Sequence, residues 1–208
     1  PFDADGDDDI DLAAGHTYSS GDALFLNDGA GRFNLLSSGA FYGCDSPMAA
    51  LDADKDRDMD VALPGKLYRN DGAGTLTLSP AGDFDSAIGS DLAAFDADSD
   101  GDVDLAVPGA LYMSNADGSF TLADAGAFDG SGGYRLLPFD ADGDGDSDLA
   151  VGRRSPQSNA LFVNDGTGVF AQVDAGDFDD NPPYSTPIVA LDADDDGRPD
   201  LAGTNGAR

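Results

Sequence analysis

The residues that could do chemistry in this chain are concentrated in one kind of segment, a short run with Asp at every second position. In Phe139-Asp140-Ala141-Asp142-Gly143-Asp144-Gly145-Asp146-Ser147-Asp148-Leu149-Ala150, acids occupy the odd positions of a loop that then enters an apolar run. The pattern occurs five times. Counting the first Asp as position 1, positions 1, 3, 5 and 9 are Asp3, Asp5, Asp7 and Asp11 in the first copy, and Asp52, Asp54, Asp56 and Asp60 in the second. They are Asp96, Asp98, Asp100 and Asp104 in the third, Asp140, Asp142, Asp144 and Asp148 in the fourth, and Asp192, Asp194, Asp196 and Asp200 in the fifth. Carboxylates this dense repel one another, so a folded loop calls for a cation at its centre. Ca²⁺ takes roughly six to eight oxygen ligands in flexible geometry, which suits such a loop, whereas Mg²⁺ holds to a strict octahedron and keeps its water. Zinc prefers His or Cys, and the chain has one of each. The expected cofactor is therefore Ca²⁺, at about five sites.

Two positions refine the reading. Position 7 is Asp9, Asp58, Asp102, Asp146 and then Arg198. An arginine side chain cannot bind a cation, so this position is expected to contribute its backbone carbonyl. Position 6, where such a loop turns sharply and favours Gly, is Gly101, Gly145 and Gly197 in the last three copies, but Asp8 and Arg57 in the first two. Asp accepts a left-handed backbone more readily than Arg does, so the Asp52 loop is expected to be the weakest site. A single acidic run could equally be a solvated surface. Five copies in register, each leading into an apolar run, favour metal.

The loops have to be held by something, and composition says what. There is no Glu; all 41 acidic residues are Asp, beside 28 Gly. Asp favours turns, caps and metal loops over helix interiors, so an all-β chain with many turns is expected. The formal net charge of −31 would become −21 with five bound Ca²⁺, which makes nucleic acid and anionic membranes poor partners. Cys44 is the only cysteine, so no intrachain disulfide can form, and it reads as a small buried apolar residue. Metal sites can replace disulfides as staples. Because cytosolic free calcium is too low to fill loops of modest affinity, an extracellular or cell-surface location is expected. No signal peptide, initiating Met or transmembrane run is present, which suggests a processed product or part of a longer polypeptide.

The loops recur every 44–52 residues, a period that indicates a propeller, solenoid or array. The order within a period is constant. Each loop enters a short strand (11–14, 60–63, 104–107, 148–151), and a second apolar run follows, as in Ala23-Leu24-Phe25-Leu26 or Ala160-Leu161-Phe162-Val163. Asn27-Asp28-Gly29, Asn70-Asp71-Gly72 and Asn164-Asp165-Gly166 then mark hairpin turns, as does a shortened Asn115-Ala116-Asp117-Gly118. Phe33, Leu76, Phe120 and Phe170 open a third strand, and a Gly-x-Phe element (Gly-Ala-Phe or Gly-Asp-Phe-Asp) follows at 39–41, 82–85, 126–129 and 176–179. A last apolar segment leads into the next loop. Each period thus yields about four short antiparallel strands, the size of one propeller blade. The apolar runs are nearly continuous, as in strands buried on both faces.

The acidic loops and the following N-D-G-x-G-x-F hairpins together resemble the FG-GAP/VCBS repeat family, the calcium-binding repeats also found in integrin α-chain propellers. The resemblance covers essentially the whole chain. It implies β-propeller blades with calcium in the loop between consecutive strands, bound by the Asp residues at positions 1, 3, 5 and 9 and the position-7 carbonyls. It also implies an extracellular role in adhesion or recognition, and some similar fungal propellers are lectins.

The expected fold is therefore all-β: a β-propeller-like array of about four four-stranded antiparallel blades with calcium loops, open or part of a larger assembly. It is read as one repeat domain with repeats at 3–51, 52–95, 96–139 and 140–191 and a partial fifth at 192–208. The fifth loop is redundant for a closed four-bladed ring. A segment of a larger array, or a subunit whose ends pair with neighbours, is expected instead. The longer loops of the first and fourth repeats contain His16, Tyr18, Arg153 and Arg154, the candidates for contacting a glycan or an acidic partner; variable solvated loops would read the same way. With no Glu and one His, nothing sets a catalytic pair apart from the repeat background, and no enzyme is expected. The functional expectation is a calcium-binding extracellular structural or adhesive repeat protein that associates with itself or a surface partner, as in a filament. The alternative is a glycan-binding propeller lectin.

Overall fold

A computed structural model describes residues 1–15, 22–41, 47–153, 157–180 and 188–203, without the side chains of 37–41 and 180. His16, Tyr18, Cys44 and Arg154 lie outside the described residues. The chain divides into two compact units, Pro1–Ile88 with Ser114–Thr121, and Gly89–Met113 with Leu122–Arg208.

Among the described residues the regular structure is almost entirely strand, joined by turns and loops. The first sheet holds β1 (Leu12–Ala14), β2 (Asp22–Asn27) and β3 (Phe33–Phe41), and the second holds β4 (Ala49–Leu51), β5 (Asp60–Leu63), β6 (Lys66–Arg69) and β7 (Thr77–Ser79). The third is β8 (Ala93–Phe95), β9 (Asp104–Val107), β10 (Ala110–Ser114) and β11 (Phe120–Leu122). The fourth is β12 (Arg135–Phe139), β13 (Asp148–Gly152), β14 (Ala160–Asn164) and β15 (Phe170–Val173), and β16 (Ile188–Leu191) pairs with β17 (Asp200–Gly203). Neighbouring strands run antiparallel in sequence order, so each sheet is a meander of the blade type. Three sheets have four strands. In the first, only a bridge between Phe2 and Asp11 stands where β4, β8 and β12 stand in the others.

Each of the last four acidic loops lies inside a sheet, joining its first strand to its second, and the first loop joins the Phe2 bridge to β1. The sheets are therefore offset by one strand from the repeats counted from the first Asp. That offset places the loop ligands between two paired strands, where the backbone is held at both ends.

Burial follows position in the sheet. Second strands β5, β9 and β13 are buried at every residue, which is why they read as continuous apolar runs. The third strand β14 alternates instead. The Gly-x-Phe elements act as pegs. Phe84 is fully buried with its ring 5.8 Å from Phe120, and Phe128 lies 5.6 Å from Phe162 and 5.9 Å from Phe170. Gly82 and Gly126 bridge in parallel to Phe120 and Phe170. Both have positive φ, and a Cβ there would stand 2.7 and 2.9 Å from the carbonyl oxygens of those Phe residues. Only glycine admits so close a backbone approach.

Candidate metal centres

The five loops share one hydrogen-bond plan. The position-1 carboxylate turns back on its own loop: Asp3 accepts from the Gly6 and Asp8 N–H groups at 2.8 and 3.0 Å. Asp140 does the same with Gly143 and Gly145 at 2.7 and 3.1 Å. Position 5 accepts from the N–H of position 7, as Asp7 does from Asp9 at 2.9 Å and Asp196 from Arg198 at 2.8 Å. These bonds coil the chain so that the acids converge. Oxygens of Asp3, Asp5 and Asp11 lie within 4.8 Å of one another, as do those of Asp96, Asp98 and Asp104, and of Asp140, Asp142 and Asp148. In the second and fifth loops the cluster is formed by positions 1, 3 and 5, namely Asp52, Asp54 and Asp56, and Asp192, Asp194 and Asp196.

The coil requires left-handed backbone at two positions. Position 6 has it at Asp8, Arg57, Gly101, Gly145 and Gly197, as expected. Position 4 has it as well, at Gly6, Lys55, Ser99, Gly143 and Asp195. The sequence concealed this second position, because only two of the five copies have glycine there. The Asp52 loop alone places a long side chain at both, with φ of 62° at Lys55 and 80° at Arg57.

Position 9 has a further task. Asp11 and Asp60 are fully buried, and each carboxylate clasps two backbone N–H groups. Asp11 accepts from Ala4 and Asn27, both at 2.7 Å. Asp60 accepts from Ala53 and Asn70 at 3.0 and 2.9 Å, and Asp148 from Ala141 and Asn164 at 2.7 and 2.8 Å. The clasp ties the loop to the hairpin of its own sheet. The hairpin Asn then reaches the preceding loop: Asn70 Nδ2 donates to the Ala4 carbonyl and Asn164 Nδ2 to the Ala97 carbonyl, both at 2.8 Å. In the third repeat, whose turn is shortened, the Gly118 N–H takes this part and donates to the Ala53 carbonyl at 2.9 Å.

Positions 1 and 3 hold the oxygens left over. Oδ1 of Asp5, Asp52, Asp54, Asp96 and Asp98 is buried without a hydrogen-bond partner. A buried unpaired carboxylate oxygen is costly, and a cation at the cluster is the group that would satisfy it. The donor set is all oxygen and anionic, which suits a hard divalent ion. The electrostatics agree. Burial, followed by the charges of Asp7, Asp11 and Asp3, raises the Asp5 carboxyl above the ordinary carboxylate range. Burial and Asp100 raise Asp98. Burial pushes Asp60 up to about 6, against the opposing effect of its two backbone hydrogen bonds. In each case burial is the largest cause, and neighbouring carboxylates add to it.

Not every acid belongs to a cluster. Asp28, Asp71, Asp117 and Asp165 accept from N–H groups of their own hairpin turns. Position-7 Asp9 and Asp58 pack their carboxylates on the hairpin glycines Gly29 and Gly72, where a Cβ would come to 2.5 Å. Arg69, which sequence reasoning did not single out, pairs with Asp54 at 3.0 Å and also donates to the Asp117 carbonyl. Its only sequence signal is a cation placed just before a hairpin Asn. Arg153 holds its guanidinium 5.7 Å from the centre of the Phe162 ring, and burial lowers its pKa.

Residues 140–203, which contain the fourth and fifth loops, match the model of the FG-GAP-like repeat. This segment belongs to the FG-GAP-like repeats. The loops and hairpins of residues 3–122 repeat the same motifs. Among solved structures, the chain is similar to an Agrocybe aegerita lectin described for specific recognition of non-reducing terminal N-acetylglucosamine. Identity is 20% and the TM-score 0.58, over 83% of this chain and 50% of that one. The likeness is one of fold, an all-β propeller-like series of antiparallel blades. The chain spans about half the length of that lectin. No curated protein matches it.

Proposed function

We propose that this chain is a calcium-binding extracellular repeat protein with a structural or adhesive role, in which Ca²⁺ at the five loops holds each sheet to its neighbour. The observation that carries the reading is the set of buried, unpartnered oxygens at positions 1 and 3 of the first three loops, together with the convergence of acids in all five. Asp at positions 1, 3, 5 and 9 and the position-7 carbonyl would hold the ion, which supplies the positive charge that the clusters lack. Because position 9 also clasps the hairpin Asn, a filled loop stiffens the bond to the preceding loop. The reading contains no catalytic step. Strong negative charge argues against nucleic acid, and no described helix is long and apolar enough to cross a membrane.

Titration of the chelator-stripped chain with Ca²⁺ by calorimetry, and with Tb³⁺ by luminescence, tests the proposal. Uptake of about five ions with a large rise in thermal stability is expected. No uptake, or the same melting temperature in calcium and chelator, would overturn it. A second reading, a glycan-binding lectin, is supported by the fold shared with the Agrocybe aegerita lectin. Saturable binding of N-acetylglucosamine-terminated glycans by the calcium-loaded chain would favour it, and a blank glycan array would leave the structural role.

A further inference from the structure

One kind of sheet-to-sheet contact is built twice within the described residues. In the first unit, Val61 and Tyr68 of the second sheet are buried in one apolar cluster with Phe2, Ala4 and Leu24, and Asn70 crosses to the Ala4 carbonyl. In the second unit, Leu149, Phe162 and Phe170 of the fourth sheet share a cluster with Phe95, Ala97 and Ala106, and Asn164 crosses to the Ala97 carbonyl. The contact has a giving half, an apolar row plus an Asn amide, and a receiving half, an apolar residue and a small one flanking an acidic loop.

Each half occurs once more with its face in solvent. The first sheet carries a giving half. Leu12 and Phe25 pair as Val61 and Tyr68 do, and as Leu149 and Phe162 do. Yet Leu12 is 38% exposed and Phe33 44%, where Leu149 and Phe170 are 0% and 1%. Asn27 stands where Asn70 and Asn164 stand. Its Nδ2 donates to the Ile10 carbonyl of its own loop at 3.2 Å, matching the secondary bond of Asn164 to Ser147. The fifth repeat carries a receiving half. Leu191 is 43% exposed, and Ala193 is exposed where its counterparts Ala4 and Ala97 are buried.

We propose that these two faces dock between copies: the first sheet of one copy packs on the fifth-repeat hairpin of a second copy. Leu12 and Phe33 cover Leu191 and Ala193, and the Asn27 amide donates to the Ala193 carbonyl. The occupant is a second copy because the chain itself presents the complement, residue for residue, of its own exposed row. The contact is heterologous, so it propagates head to tail and ends in a ring or a filament. The inference rests on the calcium reading, since two chains this acidic repel until the loops are filled.

The test is multi-angle light scattering of the 208-residue chain in millimolar calcium, with Phe33→Asp and Ala193→Arg variants and Tb³⁺ luminescence on the same samples. Both residues are exposed in a single copy, so the variants should keep the fold, which circular dichroism and terbium uptake check. The wild type should give a mass of two copies or more, and each variant alone a single-copy mass. An equimolar mixture of the two variants should recover a mass of two copies and stop there, because one sound head meets one sound tail. A wild-type chain that takes up terbium and stays at single-copy mass overturns the docking while the cation sites stand. Assembly that survives both substitutions also overturns it. Absent terbium uptake strikes the calcium reading separately.

Discussion

Positions 3 and 9 of a loop are both Asp, yet the structure assigns them opposite behaviour when the cation is removed. Asp11 clasps the Ala4 and Asn27 N–H groups at 2.7 Å from a fully buried position. Asp11→Ala leaves two backbone donors without partners, at a cost of about 1–3 kcal/mol each, or ~2–6 kcal/mol together. For a chain of this size each kcal/mol lowers the melting temperature by about 2–4 °C. The loss should be seen in chelator, because the clasp does not depend on the ion, and should be larger in calcium, where Asp11 is also a ligand. Asp5 has no such bond at Oδ1, and its carboxyl is raised by burial and by Asp7, Asp11 and Asp3. Asp5→Asn should lower the melting temperature in calcium by removing a ligand, and raise it in chelator by removing a repelled charge. Thermal melts followed by circular dichroism, in millimolar Ca²⁺ and then in chelator, read all four values. If Asp5→Asn destabilises equally in both conditions, or Asp11→Ala is silent, the division of labour between positions 3 and 9 is refuted.

Other outcomes follow from the same geometry. In chelator, Asp60 has a folded pKa of about 6, above its ordinary 3.8, so its protonated form favours the fold. Stability without calcium should therefore be greatest at acid pH and fall as pH rises from about 4 through 6, whereas with calcium it should rise over the same window; parallel melts across pH check the inversion. Arg57→Gly relieves a left-handed backbone at 80° and should stabilise the second loop by about 1 kcal/mol. It should also tighten the weakest step of a Tb³⁺ titration; a titration showing the Asp52 loop already as tight as the Asp140 loop would count against this. Gly82→Ala drives a Cβ to 2.7 Å from the Phe120 carbonyl, whereas Gly130→Ala meets open space at a similar φ. The first should therefore cost clearly more than the ~1–2 kcal/mol of the second, measured by urea unfolding.

What could be read from the sequence was local. The acidic loops, the Asn-Asp-Gly hairpins and the both-face burial of the second strands follow from residues close together in the chain. Their spacing, turn chemistry and apolar content decide them with little help from elsewhere. The glycine-favouring bend at position 6 was legible because three copies have Gly there, and its twin at position 4 was not, because Lys55, Ser99 and Asp195 mask it.

The tertiary structure decided what joins one period to another. Asn70 and Asn164 meet carbonyls 66 and 67 residues away, and no local pattern distinguishes an amide that crosses to the preceding loop from one that closes its own turn. Arg69 enters the second loop in the same way, from a strand outside it. Sequence alone specified the loops as dense acidic clusters that could hold a cation, because that follows from the charge and spacing of neighbouring residues. Which oxygens clasp the backbone and which are left to the ion depended on burial, and burial exists only once the sheets have packed.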